Sequence, residues 1–386
     1  MKNLSENFDI IAKTFEGLET VLADEITMLG GRDVQILNRA VMFTGDRRLV
    51  YKANLWLRSA LRVIIPIEKF DVYNESNLYD RVKAMDWKKL LKPEMTIAVD
   101  STINSSPFNH ANFVALKVKD AIVDRMRDDF GTRPNVNTET PDLLINVHIF
   151  RNECTISLDS SGDSLHKRGY RQSQTDAPLN EVLAAGLILM TGWKGDIDFY
   201  DPMCGSGTFT TEAFGIAMNE PPGNSSSYGF MRWMDFDTEL WKEILQEVET
   251  LKKVVKVNFY TSDILGKAIA VTKLNMRRPE MRKKVFISQA DFLESTPKSP
   301  HGLIMLNPPY GERLEQSDIK ETYKSIGNKL KFDYPGFDAW ILMASTEAEK
   351  SVGLKPKFRK NVLNGAIPCK FNKYELYKGA KKDLYQ

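Results

Sequence analysis

Residues that commonly bind metals or form disulfides are scarce in this chain of 386 residues. It has three cysteines and four histidines, and neither set shows the spacing of a metal site. The cysteines are Cys154, Cys204 and Cys369. A sparse, odd number of cysteines argues against a disulfide scaffold and fits a reducing compartment. We therefore expect a cytoplasmic protein without a metal site.

Long apolar segments are also lacking. No stretch approaches the roughly 18 to 20 uncharged apolar residues that span a bilayer. Residues 1–7 have none of the apolar run that marks a signal peptide. Hydrophobic residues make up 42% of the chain and charged residues 27%, which is typical of a globular protein. The length favours two or three domains, and we expect no membrane partner.

Charge is nearly balanced overall but unevenly distributed. The net charge is +2, from 53 Lys and Arg against 51 Asp and Glu. Residues 350–382 hold ten of the basic residues and a single acid, Glu375, so this segment is near +9. It is either an ordinary solvated surface or one that attracts the phosphates of a polyanion. In the second interpretation its aromatic residues would stack on bases: Phe358, Phe371, Tyr374 and Tyr377.

The hydrophobic pattern divides the chain into four parts. Residues 1–61 and 62–163 each mix short strands with amphipathic helices, and the pattern predicts a hairpin turn at Arg151 in the second part. Residues 164–182 form a connector. Strands and helices then alternate over residues 183–386, which predicts a mostly parallel sheet covered on both faces.

Within the last part, five strands and four helices are predicted. The strands lie at residues 196–201, 256–263, 285–291, 301–307 and 338–345. The helices lie at residues 181–191, 208–219, 265–277 and 318–331. Residues 220–255 interrupt this alternation as an insertion with its own helix.

The first candidate site follows a predicted strand and opens a predicted helix. It is the run Asp201, Pro202, Met203, Cys204, Gly205, Ser206, Gly207 and Thr208. Glycines let the backbone approach a ligand, and N–H groups at a helix start favour an anionic group. The third glycine of a dinucleotide-binding motif and the lysine of a phosphate loop are missing, which points away from NAD and ATP. A plain turn between strand and helix is the alternative.

Two carboxylates follow the next two predicted strands. Asp263 is placed to accept hydrogen bonds from both ribose hydroxyls of a nucleoside cofactor. Asp291 is placed to accept from an adenine amino group, with Phe292 packing on the ring. The alternative is a helix N-cap for Asp263 and a cap or turn for Asp291, because Asp is favoured at such positions too.

The most specific motif is Asn307-Pro308-Pro309-Tyr310, which follows a buried strand. Ligands of open α/β sheets bind at the carboxyl ends of strands. Two prolines stiffen the loop and remove two backbone donors, so acceptors dominate: the Asn307 side chain and the Pro308 carbonyl. Two acceptors would hold an exocyclic amino group so that its lone pair faces a methyl donor, and Tyr310 would stack on the base. A rigid turn with an Asn cap is the alternative.

Together these motifs resemble the bacterial THUMP-domain RNA methyltransferases, and among them the large-subunit ribosomal RNA guanine-N2 methyltransferases. Members have often been labelled N6-adenine-specific DNA methylases. The resemblance rests on residues 201–208 and 307–313, on Phe15-Glu16-Gly17-Leu18-Glu19, and on the connector residues 161–171. It implies a ferredoxin-like domain, a THUMP domain and a class I methyltransferase domain that is Rossmann-like, with a mostly parallel sheet and one antiparallel edge strand.

The resemblance also implies a cofactor, S-adenosylmethionine, and residues that bind it. These are Ala177, Pro178 and Leu179 at its methionine end, residues 201–208, Asp263 and Ile264 at the ribose, and Asp291 and Phe292 at the adenine. Asn307, Pro308, Pro309 and Tyr310 would be the catalytic residues. For RNA phosphates we expect contacts from Lys167, Arg168 and Arg171, although ordinary surface charges are the alternative.

The predicted activity is methyl transfer to guanine N2 in 23S ribosomal RNA, by a monomer whose partner is that RNA or a ribosomal precursor. Alternatives are a transfer RNA guanine-N2 methyltransferase and an N6-adenine methyltransferase. A non-enzymatic alternative is a ribosome assembly factor with a vestigial cofactor site. The intact motif residues argue against it, among them Asp201, Asp263 and Asn307.

Overall fold

The computed structural model describes residues 7–174, 178–223, 228–309 and 316–377, with backbone only for residues 316–318. The described residues form two compact units. The N-terminal unit comprises those within 1–14, 22–165 and 223–247, and the C-terminal unit those within 15–21, 166–222 and 248–386.

The N-terminal unit is built on an antiparallel-rich sheet. Its strands are β1 (Phe8–Lys13), β2 (Arg32–Leu37), β3 (Ala40–Gly45), β4 (Arg62–Asp71), β5 (Thr96–Asn104), β6 (Asn135–Val136), β7 (Leu143–Phe150) and β8 (Glu153–Asp159). In the described part of the chain they form one eight-stranded sheet in the order β2-β3-β1-β4-β8-β7-β5-β6. The predicted hairpin at Arg151 is confirmed as the turn between β7 and β8.

Helices of the first 165 residues follow the predicted periodicity. They are α1 (Glu19–Met28), α2 (Arg47–Trp56), α3 (Glu75–Lys83) and α4 (Ala111–Phe130), with a short 3-10 turn at Trp87–Lys89. Helix α4 ends at Gly131, whose left-handed φ of 73° suits glycine at a helix C-terminus. Its apolar stripe is buried against the sheet through Val114, Val118 and Ile122. Each such side chain contributes about 1.5–3 kcal/mol by leaving water.

The C-terminal unit contains the predicted mostly parallel sheet. Its strands are β9 (Phe199–Asp201), β10 (Phe259–Asp263), β11 (Val285–Gln289), β12 (Leu303–Leu306), β13 (Asp338–Met343), β14 (Phe358–Asn364) and β15 (Ile367–Glu375). The order among the described residues is β11-β10-β9-β12-β13-β15-β14. After residue 180 the helices are α5 (Glu181–Met190), α6 (Thr208–Ala217), α7 (Thr238–Leu251), α8 (Gly266–Asn275), α9 (Gln316–Asp333) and α10 (Thr346–Ser351), with 3-10 turns at Gly229–Arg232, Pro279–Lys283 and Phe292–Glu294. Of these, the turn at Gly229–Arg232 and the first ten residues of α7 belong to the N-terminal unit.

One detail of this sheet differs from expectation. The antiparallel strand is β15, but it is not at the edge, because β14 pairs with its outer side and runs in the same direction as β13. The five predicted strands and four predicted helices are confirmed, with ends shifted by a few residues. The hairpin of β14 and β15 was not predicted, since its basic residues obscured the alternating pattern of a strand.

The hairpin also corrects the base-stacking interpretation of the basic segment. Phe371 and Tyr374 are buried in the core, and the ring of Phe371 stacks on Trp340 with centroids 4.7 Å apart. These two aromatics therefore stabilise the sheet and are not available to bases. Phe358 and Tyr377 are 40% and 36% exposed, so for them the interpretation stays a prediction.

Several cations of the segment are paired with acids. Lys370 and Arg359 donate to Glu349 at 2.7 and 2.6 Å, and Lys373 lies 2.8 Å from Asp338. Burial alone would raise the pKa of Glu349, but the hydrogen bonds from Lys370 and Arg359 outweigh it and lower the pKa to about 2. The local charge is consequently smaller than the sequence count indicates.

Candidate active site

The four sequence motifs meet at one edge of the C-terminal sheet. Strands β11, β10, β9 and β12 are parallel neighbours, so their carboxyl ends lie side by side. Thr261 is in register with Asp201, and Asp263 with Gln289. Asn307 follows β12 directly. This edge is where open α/β sheets bind ligands.

The glycine-containing run 201–208 forms a tight loop between β9 and α6. Asp201 is buried and its Oδ2 accepts from the Thr210 backbone N–H and hydroxyl, at 3.3 and 2.9 Å. Gly207 has a φ of +78°, and a Cβ there would lie 2.5 Å from Cε of Met276. A side chain at Gly207 would therefore strain the backbone and press on α8. The loop keeps its shape through these contacts.

The other oxygen of Asp201 is unusual. Its Oδ1 is buried and has no hydrogen-bond partner among the described residues. Burial raises the pKa of Asp201 to about 7, although the hydrogen bonds from Thr210 pull it down. A buried acceptor without a donor is costly, which makes Asp201 suited to a ligand that donates a hydrogen bond or carries positive charge.

The two downstream carboxylates bond to nearby backbone in this structure. Asp263 Oδ1 accepts from the Leu265 N–H and Oδ2 from the Gly205 N–H, both at 2.9 Å. The N-cap of α8 is Leu265, so Asp263 closes a turn before the helix and does not cap it. Asp291 is the N-cap of the 3-10 turn at Phe292–Glu294 and accepts from the Leu293 N–H at 2.8 Å. This local bonding supports the cap interpretation for Asp291 alone. It does not exclude ligand binding, because a carboxylate has more acceptor positions than these bonds use.

The side chains flanking the carboxylates differ in exposure. Ile264 is 60% exposed at the site edge, as an apolar contact for a ring would require. Phe292 is only 2% exposed and packs in the core beside Tyr334. The prediction that the Phe292 ring packs on adenine is wrong, because that ring is committed to the core. Leu293, the next residue, is 41% exposed.

A buried asparagine that sequence reasoning missed joins the connector to the glycine loop. Asn275, at the end of α8, accepts from the N–H groups of Gln172 and Ser173 at 2.9 and 3.2 Å. Its amide donates to the carbonyls of Ser173 and Ser206, both at 3.0 Å. Thr272, one turn earlier, donates to the Gly205 carbonyl at 2.9 Å. Partners 67 to 103 residues away leave no local sequence signal.

Two of the three predicted phosphate contacts are directed inward. The Arg171 guanidinium donates to Glu181 at 2.6 Å and also reaches Ser206 and Thr208 in the glycine loop. The Arg168 side chain is 1% exposed and lies 3.8 Å from Glu212.

The phosphate-contact prediction is therefore wrong for Arg168 and Arg171, since both cations are occupied within the protein. Lys167 is exposed, and for it the prediction stands. Burial and the nearby Glu212 raise the pKa of Tyr170, whose hydroxyl donates to Glu212 at 3.0 Å. The connector is thus an internal support of the C-terminal unit, through Arg168, Tyr170 and Arg171.

The loop after β12 holds a second buried acceptor. Asn307 Oδ1 is buried and has no hydrogen-bond partner among the described residues. Pro308 is buried and Pro309 is exposed. Tyr310, the predicted stacking residue, lies outside the described residues.

Three residues are predicted to line the methionine end of the cofactor, and Ala177 among them lies outside the described residues. Leu179 is buried and its carbonyl accepts from Arg171 at 2.9 Å, while Pro178 is half-buried.

Three family models match consecutive parts of the chain. They are an RlmL ferredoxin-like domain over residues 9–64, a THUMP domain over 72–159 and an RMKL-like methyltransferase domain over 168–373. The last covers more than half of the chain. The chain belongs to the RMKL-like methyltransferase family. The expected fold class of ferredoxin-like, THUMP and methyltransferase domains is confirmed, whereas the exact boundaries stay predictions.

Individual relatives agree with this assignment. A Synechocystis protein, provisionally named an RNA methyltransferase, is 38% identical over 95% of this chain and 96% of its own length. The ribosomal RNA large subunit methyltransferase K/L of Syntrophotalea carbinolica is 36% identical over 94% of this chain. The chain spans about half of that relative's length, 52%.

Solved structures share the fold as well. One methyltransferase structure complexed with SAH superposes with a TM-score of 0.89 at 28% identity, covering 98% of this chain and all of the other. S-adenosylmethionine is the cofactor of this methyltransferase fold, and the buried acceptor of Asp201 beside the glycine loop fits a cofactor that bears a cationic amino group. No helix in the described part of the chain is long and apolar enough to cross a membrane.

Proposed function

We propose that this protein methylates the exocyclic N2 of a guanine in large-subunit ribosomal RNA, using S-adenosylmethionine. The observation that carries the proposal is the Asn307 side-chain oxygen, a buried acceptor without a partner among the described residues at the carboxyl end of β12. Leaving such an acceptor unpaired costs about 1–3 kcal/mol, which a donor from the substrate would recover.

The chemistry of an amino group explains why acceptors are needed. Its lone pair is delocalised into the ring, so the nitrogen is a poor nucleophile. The Asn307 side chain and the Pro308 carbonyl would accept its two N–H bonds and turn the lone pair toward the methyl group. Such positioning can supply a large part of a rate enhancement.

The cofactor supplies an activated methyl group on a sulfonium. As the amino nitrogen forms its bond to the methyl carbon, the carbon–sulfur bond breaks and its electron pair stays on sulfur. The substrate nitrogen then loses a proton to solvent, so this chain needs to provide no general base. The target base must leave its stack to reach Asn307, as in other enzymes that modify bases.

A ribosomal RNA substrate is supported by the domain composition and by a relative, whereas the choice of guanine N2 rests on the motif resemblance. A THUMP domain accompanies the methyltransferase domain, and a relative at 36% identity is named a large-subunit ribosomal RNA methyltransferase. Transfer RNA guanine and adenine N6 offer the same two N–H donors, so the acceptor loop alone does not discriminate among them.

Nucleoside mass spectrometry of a strain that lacks the gene tests this proposal. Ribosomal RNA, transfer RNA and DNA would be digested separately and compared with the parent strain. We expect N2-methylguanosine to decrease in large-subunit RNA alone and to return with a plasmid copy of the wild type, but not of Asn307→Ala. A loss confined to transfer RNA, or a loss of N6-methyladenine from DNA, would contradict it.

A further inference from the structure

The β14–β15 hairpin projects past the edge that holds the candidate active site. Met343, the last residue of β13, is in register with Lys370 of β15. The hairpin continues for three further pairs, Val362–Cys369, Leu363–Pro368 and Asn364–Ile367. At about 3.4 Å per residue these pairs extend roughly 10 Å beyond β13.

The hairpin tip is a tight turn that lies beyond the same sheet edge as Asn307. Two residues, Gly365 and Ala366, connect the strands, and Gly365 has the positive φ of 63° that a tight two-residue hairpin turn requires. Leu306 is in register with Ile341, so Asn307 is level with the residue before Met343. The tip therefore stands roughly 13 Å beyond Asn307 and two strands, or about 10 Å, to its side.

The chemistry of the tip contrasts with the segment that contains it. Ala366, Ile367 and Pro368 are consecutive exposed apolar residues, and Ile367 is 44% exposed. The basic residues nearest to the tip in the sequence are Lys360 on β14 and Lys370 on β15, and Lys370 is paired with Glu349. Proteins that kink a nucleic-acid duplex insert apolar side chains such as isoleucine and proline between base steps.

We propose that the hairpin tip, residues 364–368, is a wedge that enters the RNA stack beside the target nucleotide and holds open the gap that the extruded base leaves. This inference rests on the proposed function, because a nucleobase must be extruded for a wedge to be useful. Ile367 would contact the neighbouring base, and the pairing of β14 and β15 with the sheet would hold the tip in position.

Kinetics on two forms of the same RNA test the wedge. One form is the folded RNA fragment that contains the methylated guanine, and the other is the isolated single strand that carries the same guanine unpaired. For Ile367→Ala we expect kcat/KM to fall roughly tenfold on the folded fragment and less than twofold on the single strand, since only the first requires unstacking. Val254→Ala is the control, because Val254 is 86% exposed and precedes β10, which is separated from β15 by three strands of the sheet.

A binding measurement separates base extrusion from chemistry. The folded fragment with 2-aminopurine in place of the target guanine should brighten when wild-type protein and S-adenosylhomocysteine bind, and brighten much less with Ile367→Ala. Equal losses of kcat/KM on both RNA forms, or no loss on either, would overturn the wedge while leaving guanine methylation by the wild type intact. Absence of N2-methylguanosine with the wild type would instead overturn the proposed function.

Discussion

Two loops meet at the same sheet edge, and each contains a buried oxygen without a partner among the described residues, Asp201 Oδ1 in one and Asn307 Oδ1 in the other. The loops differ in bracing, because the glycine loop 201–208 is also held by hydrogen bonds from Thr210, Asn275 and Arg171. In our proposal, the braced loop binds the cofactor and the Asn307 oxygen accepts a hydrogen bond from the substrate amino group. The comparison therefore predicts that substitutions in the two loops have separable effects.

Removing the side-chain oxygen of Asn307 should give the largest effect. For Asn307→Ala we expect the methyl-transfer rate to fall by about 10²–10³-fold, comparable to the loss of one positioning hydrogen bond in other active sites. The affinity for S-adenosylmethionine should stay within about twofold, because the glycine loop is untouched. Single-turnover transfer from labelled cofactor and calorimetric titration measure the two quantities. A comparable loss of cofactor affinity would show that the Asn307 loop also contributes to cofactor binding, and it would contradict separate roles for the two loops.

Removing a brace beneath the connector should lower stability. Arg168→Ala leaves the Glu212 carboxylate buried without its cation, which we expect to cost about 3 kcal/mol of unfolding free energy. Lys167→Ala, at the exposed neighbour, should change stability by less than about 0.5 kcal/mol. Urea denaturation of both variants measures the difference. Equal stability of the two variants would show that the connector is not an internal support.

Loosening the glycine loop should affect cofactor binding and little else. Asn275→Ala removes four hydrogen bonds, and we expect the Kd for S-adenosylmethionine to rise roughly tenfold, or about 1.4 kcal/mol. The rate at saturating cofactor should change less than threefold. Asn275→Asp keeps the two acceptor bonds and should lie between. A fall in the rate at saturating cofactor with an unchanged Kd would show that Asn275 supports the Asn307 loop and not the glycine loop.

Neutralising Asp201 should change how stability depends on pH. Its folded pKa of about 7 lies above the ordinary Asp value of 3.8, so the unfolded chain releases the proton at lower pH and this group lowers stability as pH rises between these values. For Asp201→Asn we expect stability relative to the wild type to increase by at least about 1 kcal/mol between pH 5 and pH 8. Denaturation at both pH values of cofactor-free protein measures it, and a constant difference would contradict the raised pKa.

The sequence was sufficient for the fold class because the alternating pattern of the last part and the strand–loop motifs are local signals. It also placed Asp201, Asp263 and Asn307 at one edge, since each follows a predicted strand. The braces were not predictable, because Asn275 contacts residues about 100 positions away. The burial of individual side chains was not predictable either, because Arg168 and Phe371 lie among charged residues in the sequence, yet the fold buries both.

The central claim is that the buried side-chain oxygen of Asn307 presents guanine N2 to the cofactor. The most direct measurement incubates purified protein and isotopically labelled S-adenosylmethionine with large-subunit ribosomal RNA from the strain that lacks the gene, and identifies the labelled nucleoside by mass spectrometry. We predict label in N2-methylguanosine with the wild type and none above background with Asn307→Ala. Label in N6-methyladenosine, or equal labelling by the two proteins, would contradict the account.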